Sequence, residues 1–225
     1  MTRDEEELRA YLGDRFDRSR LERWQEQLEE EARAVGDEER LYRTSEAYLY
    51  NLTVFAMSGT KEPYRDAIRR VVEPEARLLD VGCGIGSDGL ALLDAGYAVE
   101  FADFDNPSTR YLRWRLERRG RSAAVHDLDA GPLPEGFDLA YAFDVLEHVE
   151  DPLALLAAME RSAALVCVNL LVDAGSDDSV LHRALPVRRI AWRARRRGLV
   201  LDERLWDGRV RLLIYRGARR RAAPR

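Results

Sequence analysis

A doubly wound, mostly parallel α/β sheet is what this 225-residue sequence predicts, and three observations carry it. An apolar strand, Leu78 to Val81, runs directly into glycines at 82, 84 and 86 and then into a helix. From about residue 76 onward, short apolar runs alternate with helical stretches, the pattern of a sheet with helices on both faces. Near the end, Asp207-Gly208 lies between two such runs and marks a hairpin, which makes the last strand antiparallel.

Residues 1–75 read as a helical extension. Leu21, Trp24, Leu28, Ala32 and Val35 recur every three or four positions, so they predict one amphipathic helix that Gly36-Asp37 ends. A second helix, about Glu38 to Met57, carries Tyr42, Tyr48, Leu49, Tyr50, Leu52 and Phe55. Ser58 to Pro63 is a break, after which Tyr64 to Val72 resumes a helix leading into the first strand. The strands that follow are Leu78–Val81, Ala98–Asp103, one ending in His126-Asp127-Leu128, Phe137–Phe143, Ala163–Leu171, Leu199–Leu205 and Val210–Tyr215. The organisation expected is thus an extension over 1–75, a sheet domain over 76–216 and a basic tail over 217–225. The extension serves either as a lid over a ligand site or as a homodimer interface.

A net charge of −5 with 34% charged residues speaks against general polyanion binding. The arginine-rich stretch Arg188 to Arg197 leaves a narrow apolar stripe of Ile190, Ala191 and Ala194, so it reads as a solvated helix, with Trp192 at its edge or stacked on a base. Nucleic acid is not the partner expected. No apolar run approaches the roughly 18 residues of a membrane span, and the acidic start Met1 to Glu7 does not resemble a signal peptide, so the expectation is a cytoplasmic protein with no membrane partner. Cys83 and Cys167 read as reduced small hydrophobes. Lysine and arginine together number 36, and Lys61 is the only lysine among them, a bias typical of a GC-rich bacterial genome.

The glycine turn carries the chemistry. Glycines let the backbone adopt conformations closed to other residues, so a ligand can lie on the main chain while the helix from about Ser87 to Asp94 aims its free amides at it. Dinucleotide sites favour G-x-G-x-x-G, whereas this turn is G-x-G-x-G with Asp80 two residues before it. An acid there opposes a pyrophosphate and suits a cationic group such as the amino end of S-adenosylmethionine. The second strand ends in Asp103, an acid placed as a ribose-binding carboxylate requires.

Leu79 to Gly86 resembles motif I of the class I S-adenosylmethionine-dependent methyltransferases, and Phe137 to Pro152 is similar to the fourth strand and following segment of their small-molecule members. The resemblance implies a Rossmann-like sheet of seven strands closed by a hairpin, with S-adenosylmethionine as cofactor. It assigns Gly82, Cys83, Gly84 and Gly86 to admit that cofactor and Asp80 to orient its amino-acid part. Asp103 goes to the ribose hydroxyls and Asp127 to the adenine, with Phe104, Leu128 and Asp144 also among the cofactor-binding residues. The activity implied is methyl transfer to oxygen or nitrogen of a small metabolite acceptor in bacterial specialised metabolism.

Methyl transfer is an in-line displacement at an activated carbon, so positioning alone can supply roughly 7 to 11 kcal/mol. An aliphatic hydroxyl further needs a base or a metal. On a helical turn, Asp144 would share a face with Glu147 and His148. This cluster resembles the E-x-x-E-H metal-binding segment of ubiquinone-pathway O-methyltransferases and small-RNA 2′-O-methyltransferases, with Asp144 replacing the first glutamate. Two readings follow: a divalent metal held by Asp144, Glu147, His148 and His182, or a metal-free site whose pocket His148 shapes; the catalytic candidates are His182, His148 and Glu147. His182, in the loop after the fifth strand, is a general base, a metal ligand or a loop histidine bonded to a neighbour, while His126 reads as structural. Tyr48, Tyr50, Lys61 and Tyr64 line the acceptor pocket or pack as part of amphipathic helices. The rival functions are a metal-dependent RNA 2′-O-methyltransferase and an inactive cofactor-binding partner subunit; the glycine spacing opposes a nicotinamide dehydrogenase.

Overall fold

The computed structural model describes residues 1–172 and 183–218 of the chain. Helices α1 (Arg3–Leu12), α2 (Ser19–Glu22), α3 (Trp24–Val35), α4 (Glu38–Thr44) and α5 (Ala47–Ser58) precede the sheet. Local chemistry sets their ends. Thr2 and Asp37 cap α1 and α4 by accepting the amides of Glu5 and Arg40, and Gly36 and Gly59 stop α3 and α5 in the left-handed conformation. Two expected helices are divided. Arg23 leaves helical geometry (φ −108°) and separates α2 from α3. Ser45, with extended backbone, ends α4, and its Oγ accepts the amide of Tyr48 at 3.1 Å, so one serine closes one helix and opens the next.

A single sheet follows: β1 (Arg77–Val81), β2 (Ala98–Asp103), β3 (Val125–Asp127), β4 (Phe137–Ala142), β5 (Ala163–Leu171), β6 (Leu199–Leu205) and β7 (Val210–Arg216). Its order is β3-β2-β1-β4-β5-β7-β6. Strands β1 to β5 pair in parallel, and β7 runs antiparallel to both β5 and β6, as the hairpin signal predicts. At that hairpin Asp207 and Gly208 take φ of +54° and +87°. The chain builds outward from β1 to β3 and then returns to lay β4 on the other side of β1, with Asp80 opposite Tyr141. Connections leaving β1 and β4 therefore diverge and open a crevice at their C-terminal ends.

Alternation along the strands fills two layers. Leu78, Phe101, Leu139, Tyr141 and Cys167 face α6 (Glu62–Val71), α7 (Ser87–Asp94) and α8 (Pro107–Arg118). Leu79, Val81, Ala140, Ala142 and Val166 face α9 (Pro152–Ser162) and α10 (Val187–Arg197). Tyr64, Ala67 and Ile68 place α6 in the core beneath the sheet, although the sequence groups it with the extension. A third cluster joins Leu8, Leu12, Leu21, Leu49 and Tyr50 to Ile85 and Tyr111, so the N-terminal helices sit over the crevice. No helix among the described residues is long and apolar enough to cross a membrane.

In α10 the stripe Ile190, Ala191 and Ala194 is buried and Trp192 is exposed, as expected. Arg193 and Arg197 are engaged, because both reach Glu160 of α9, at 2.6 Å each. Glu160 is buried and also accepts from the hydroxyl of Tyr215 at 3.3 Å. Glu160→Gln removes the counter-charge of two half-buried guanidinium groups, and the charge-assisted hydrogen bonds lost are worth about 2 kcal/mol. A lowered urea midpoint at constant slope is the expected result.

Candidate active site

The turn after β1 is held in left-handed backbone at Gly82, Gly84 and Gly86, with φ of +70°, +52° and +72°. Two of these glycines are required by neighbours as well as by φ. A Cβ on Gly82 would meet the methyls of Val145 at 2.6 and 2.8 Å, and one on Gly86 would enter the side chain of Leu112 on α8. Gly86 thus serves the packing of α8 and does not line the cavity, a correction to its expected part in admitting a ligand. The amide of Gly84 donates to Oδ2 of Asp103 at 2.7 Å, and that of Phe104 to Oδ1 at 2.8 Å. Burial nevertheless raises the Asp103 carboxyl to about 6. Asp80 is pushed to about 8 by burial and then by the negative charge of Asp88.

Beyond β4 the backbone turns sharply. Asp144 takes φ +55°, and the following turn is a 3₁₀ helix over Leu146–His148. Asp144 therefore does not share a helical face with Glu147 and His148, contrary to the spacing argument. Asn169 of β5 holds it: its Oδ1 accepts the Asp144 amide at 2.8 Å, and its Nδ2 donates to Asp144 Oδ1 at 2.5 Å. Lys61 Nζ lies 3.1 Å from the other Asp144 oxygen and 3.8 Å from Asp88, and donates to the carbonyl of Phe143 at 3.3 Å. Burial works against the Lys61 ammonium, yet Asp144 and Asp88 outweigh it and raise its pKa. Burial likewise opposes charge on Asp144, but Lys61 and Asn169 hold its carboxyl below the usual value. Asp88 is also paired with Arg65 at 2.5 Å.

Glu147 is buried, and among the described residues its Oε2 has no hydrogen-bond partner. Burial pushes its pKa up. His148 Nδ1 lies 2.8 Å from the hydroxyl of Tyr42, whose ring meets that of Tyr48 edge-on. One cavity of about 870 Å³ extends from the glycine turn to this wall, roofed by α3, α4 and α5. That is large for a small-molecule site, where roughly 300–1,000 Å³ is usual. Asp80, Gly82, Cys83, Gly84, Asp103, Phe104 and Leu128 line one end. Trp24, Leu28, Tyr42, Tyr48, Phe55 and Trp206 form apolar walls elsewhere.

The profile of a family described as "Methyltransferase domain" matches residues 57–202, well over half of the chain. The chain belongs to the class I S-adenosylmethionine-dependent methyltransferases. A ubiquinone biosynthesis O-methyltransferase of Xanthomonas campestris is 34% identical over 112 residues, 48% of this chain and 43% of that protein, so the match spans less than half of the relative. Among solved structures, magnesium protoporphyrin IX methyltransferase of Synechocystis, with bound S-adenosylhomocysteine, superposes at TM-score 0.59 and 16% identity over 72% of this chain and 85% of that one. Mitomycin 7-O-methyltransferase gives 0.57 and 20% over 76% and 57%. At these identities the structural likeness shows the fold.

S-adenosylmethionine is the cofactor of this methyltransferase family, and the residues at the glycine end fit it: a left-handed glycine turn on the cavity wall, beside the buried carboxylate of Asp80 and the half-buried one of Asp103. The remaining expected site residues divide. Tyr48, Lys61, Tyr64, Asp144, Glu147 and His148 line the cavity. Tyr50 does not; it is buried among the N-terminal helices, its hydroxyl accepting the amide of Asp17 at 3.1 Å. Asp127 does not line the cavity either, and its carboxylate accepts the amide of Asp129 at 3.0 Å. His126 is engaged with Glu100 at 2.8 Å, and His182 lies outside the described residues. A metal set is not assembled among the described residues: Asp144 faces Lys61 and Asn169, while His148 Nδ1 faces Tyr42. Sequence reasoning missed Asn169, whose signal was a lone amide in the apolar run Val166 to Leu171, and Asp88 in the first turn of α7. Gly82→Ala, strained by φ and blocked by Val145, should weaken S-adenosylhomocysteine binding more than tenfold, about 1.4 kcal/mol, by calorimetric titration.

Proposed function

We propose that this chain transfers a methyl group from S-adenosylmethionine to the hydroxyl oxygen of a small, largely apolar aromatic molecule of bacterial metabolism. The observation that carries this is Oε2 of buried Glu147 on the cavity wall, which has no hydrogen-bond partner among the described residues. A buried acceptor atom without a partner is costly, and a ligand hydroxyl would satisfy it. The aromatic walls suit a flat ring, and the ubiquinone-pathway relative, an O-methyltransferase by name, supports oxygen as the atom methylated.

In this reading the cofactor lies on Gly82 to Gly84, with Asp103 accepting from its ribose hydroxyls, Asp80 facing its ammonium group and Leu128 against its adenine. S-adenosylmethionine would supply an activated methyl group with a neutral thioether as leaving group, and Glu147 would take the proton that the acceptor hydroxyl gives up as its oxygen gains the methyl. Burial raises the affinity of that carboxylate for a proton, which makes it the stronger base. Tyr42 and His148 orient the ring, and α3 to α5 exclude water. Asp144 is turned to Lys61 and Asn169 and His148 Nδ1 to Tyr42, so these two are not gathered with Glu147 around an ion.

Incubation with labelled S-adenosylmethionine and a panel of phenols should yield methyl ethers, and Glu147→Gln should cut turnover by about 10²- to 10⁴-fold with S-adenosylhomocysteine affinity unchanged. A chain that binds S-adenosylhomocysteine but methylates nothing would instead be a partner subunit.

Asp80 provides a second check. Its pKa in the free protein, about 8, stands above the ordinary 3.8, so its contribution to stability is present below about 4 and lost as pH rises through 8. A cofactor ammonium beside it favours the carboxylate. Binding of S-adenosylhomocysteine at pH 7 should therefore release close to one proton, read from the difference in calorimetric heat between buffers of unlike ionisation enthalpy. Equal heats would remove Asp80 from the ammonium site.

A further inference from the structure

We infer that Arg115, on the far side of the glycine turn from the cavity, is a positioning residue for cofactor binding, and that the acids of α1 hold it in place. The proposal rests on the cofactor lying on the glycine turn and is independent of the acceptor.

Arg115 is on α8 and is fully buried. Its guanidinium divides its donors between two parts of the chain. Nη1 donates to the carbonyl of Ile85 at 2.9 Å and to the hydroxyl of Ser87 at 2.8 Å. Nε donates to Glu7 at 2.8 Å and Nη2 to Asp4 at 2.5 Å, both acids of α1. Ser87 Oγ also lies 3.3 Å from the same Asp4 oxygen, closing a ring of three side chains. Glu7 is further bonded to Arg119 at 2.7 and 2.8 Å, and burial, which opposes its charge, is overcome by the two arginines. The ring of Tyr111 flanks the group, and Asp94 lies 3.6 Å from Arg119 on its outer side.

The two atoms that Arg115 grips have particular positions. Ile85 stands between Gly84 and Gly86, so its carbonyl belongs to a peptide unit flanked by left-handed glycines. Such a segment has many accessible conformations, and its ordering must be supplied by neighbours if the cofactor is not to bear the entropy. Ser87 is the first residue of α7, the helix whose free amides face the cavity, and both Ile85 and Ser87 line that cavity. Arg115 therefore fixes the turn and the helix start from behind, and Asp4 and Glu7 fix Arg115. Helix α1 thereby belongs to the cofactor site without touching the cofactor.

The test uses the full chain and calorimetric titration with S-adenosylhomocysteine. Asp4→Asn removes the charge that bridges Arg115 and Ser87 while leaving Glu7 on Arg115; affinity should fall about five- to tenfold. Asp4→Glu, which keeps the charge, should stay within twofold of the unaltered chain. Ser87→Ala should also weaken binding, and it leaves all the charges in place. Hydrogen exchange separates positioning from loss of fold: amides of residues 84–88 should exchange faster in Asp4→Asn while those of β4 and β5 do not change. By reciprocity, saturating S-adenosylhomocysteine should slow exchange in α1 of the unaltered chain and do so less in Asp4→Asn. Affinity within twofold of the unaltered chain in both Asp4→Asn and Ser87→Ala overturns the proposal. Failure of the unaltered chain to bind S-adenosylhomocysteine overturns it together with the placement of the cofactor, whereas binding without methyl transfer touches only the acceptor reading.

Discussion

The left-handed backbone between β1 and α7 exists only because its surroundings hold it. Three glycines in five residues impose no conformation of their own. Order comes from Asp103 accepting the Gly84 amide, from Val145 and Leu112 filling the space a Cβ would need at Gly82 and Gly86, and from Arg115 on the Ile85 carbonyl. These four side chains come from three elements: Asp103 from β2, Val145 from the segment after β4, and Leu112 and Arg115 from α8. The parallel sheet order brings those elements around the end of β1, so the topology and the turn support each other.

Charge is distributed in the cavity to the same end. Asp80, buried, and Asp103, half-buried, both carry raised pKa values at the glycine end, a cost that a cationic, hydroxyl-bearing cofactor would relieve. Asp144 and Asp88 are instead neutralised internally by Lys61 and Arg65. Glu147 belongs to neither group: it is buried without a cationic partner or a hydrogen bond to Oε2 among the described residues. Acids that await a ligand and acids that are already paired thus lie within one cavity, and burial combined with partner identity tells them apart.

Much of this was legible in the sequence because it follows from short-range rules. Strand periodicity, the glycine spacing, the acid at the end of β2 and the Asp207-Gly208 turn each depend on residues close together in the chain. What was illegible depends on contacts across it. Tyr50 and Tyr48 lie two residues apart on one helix, and only the position of Asp17 and the neighbouring helices sends Tyr50 into the core while Tyr48 faces the cavity. The helical face expected of Asp144, Glu147 and His148 fails because Asn169, 25 residues away, captures the Asp144 backbone in a left-handed conformation. Glu7 and Arg115 are 108 positions apart, and neither carries a motif. The helix breaks at Arg23 and Ser45 were obscured by apolar spacing that continues through them.

The composition of the chain gives Lys61 a further meaning. Every other basic side chain apart from the histidines is a guanidinium, which stays charged and does not react as an amine nucleophile at neutral pH. Enzymatic acylation or ubiquitin transfer aimed at lysine side chains therefore finds one target in this sequence. That target is largely withdrawn from solvent, with its ammonium tied to Asp144 and Asp88. An amine-directed label that reaches Lys61 would therefore report on the interior of the cavity.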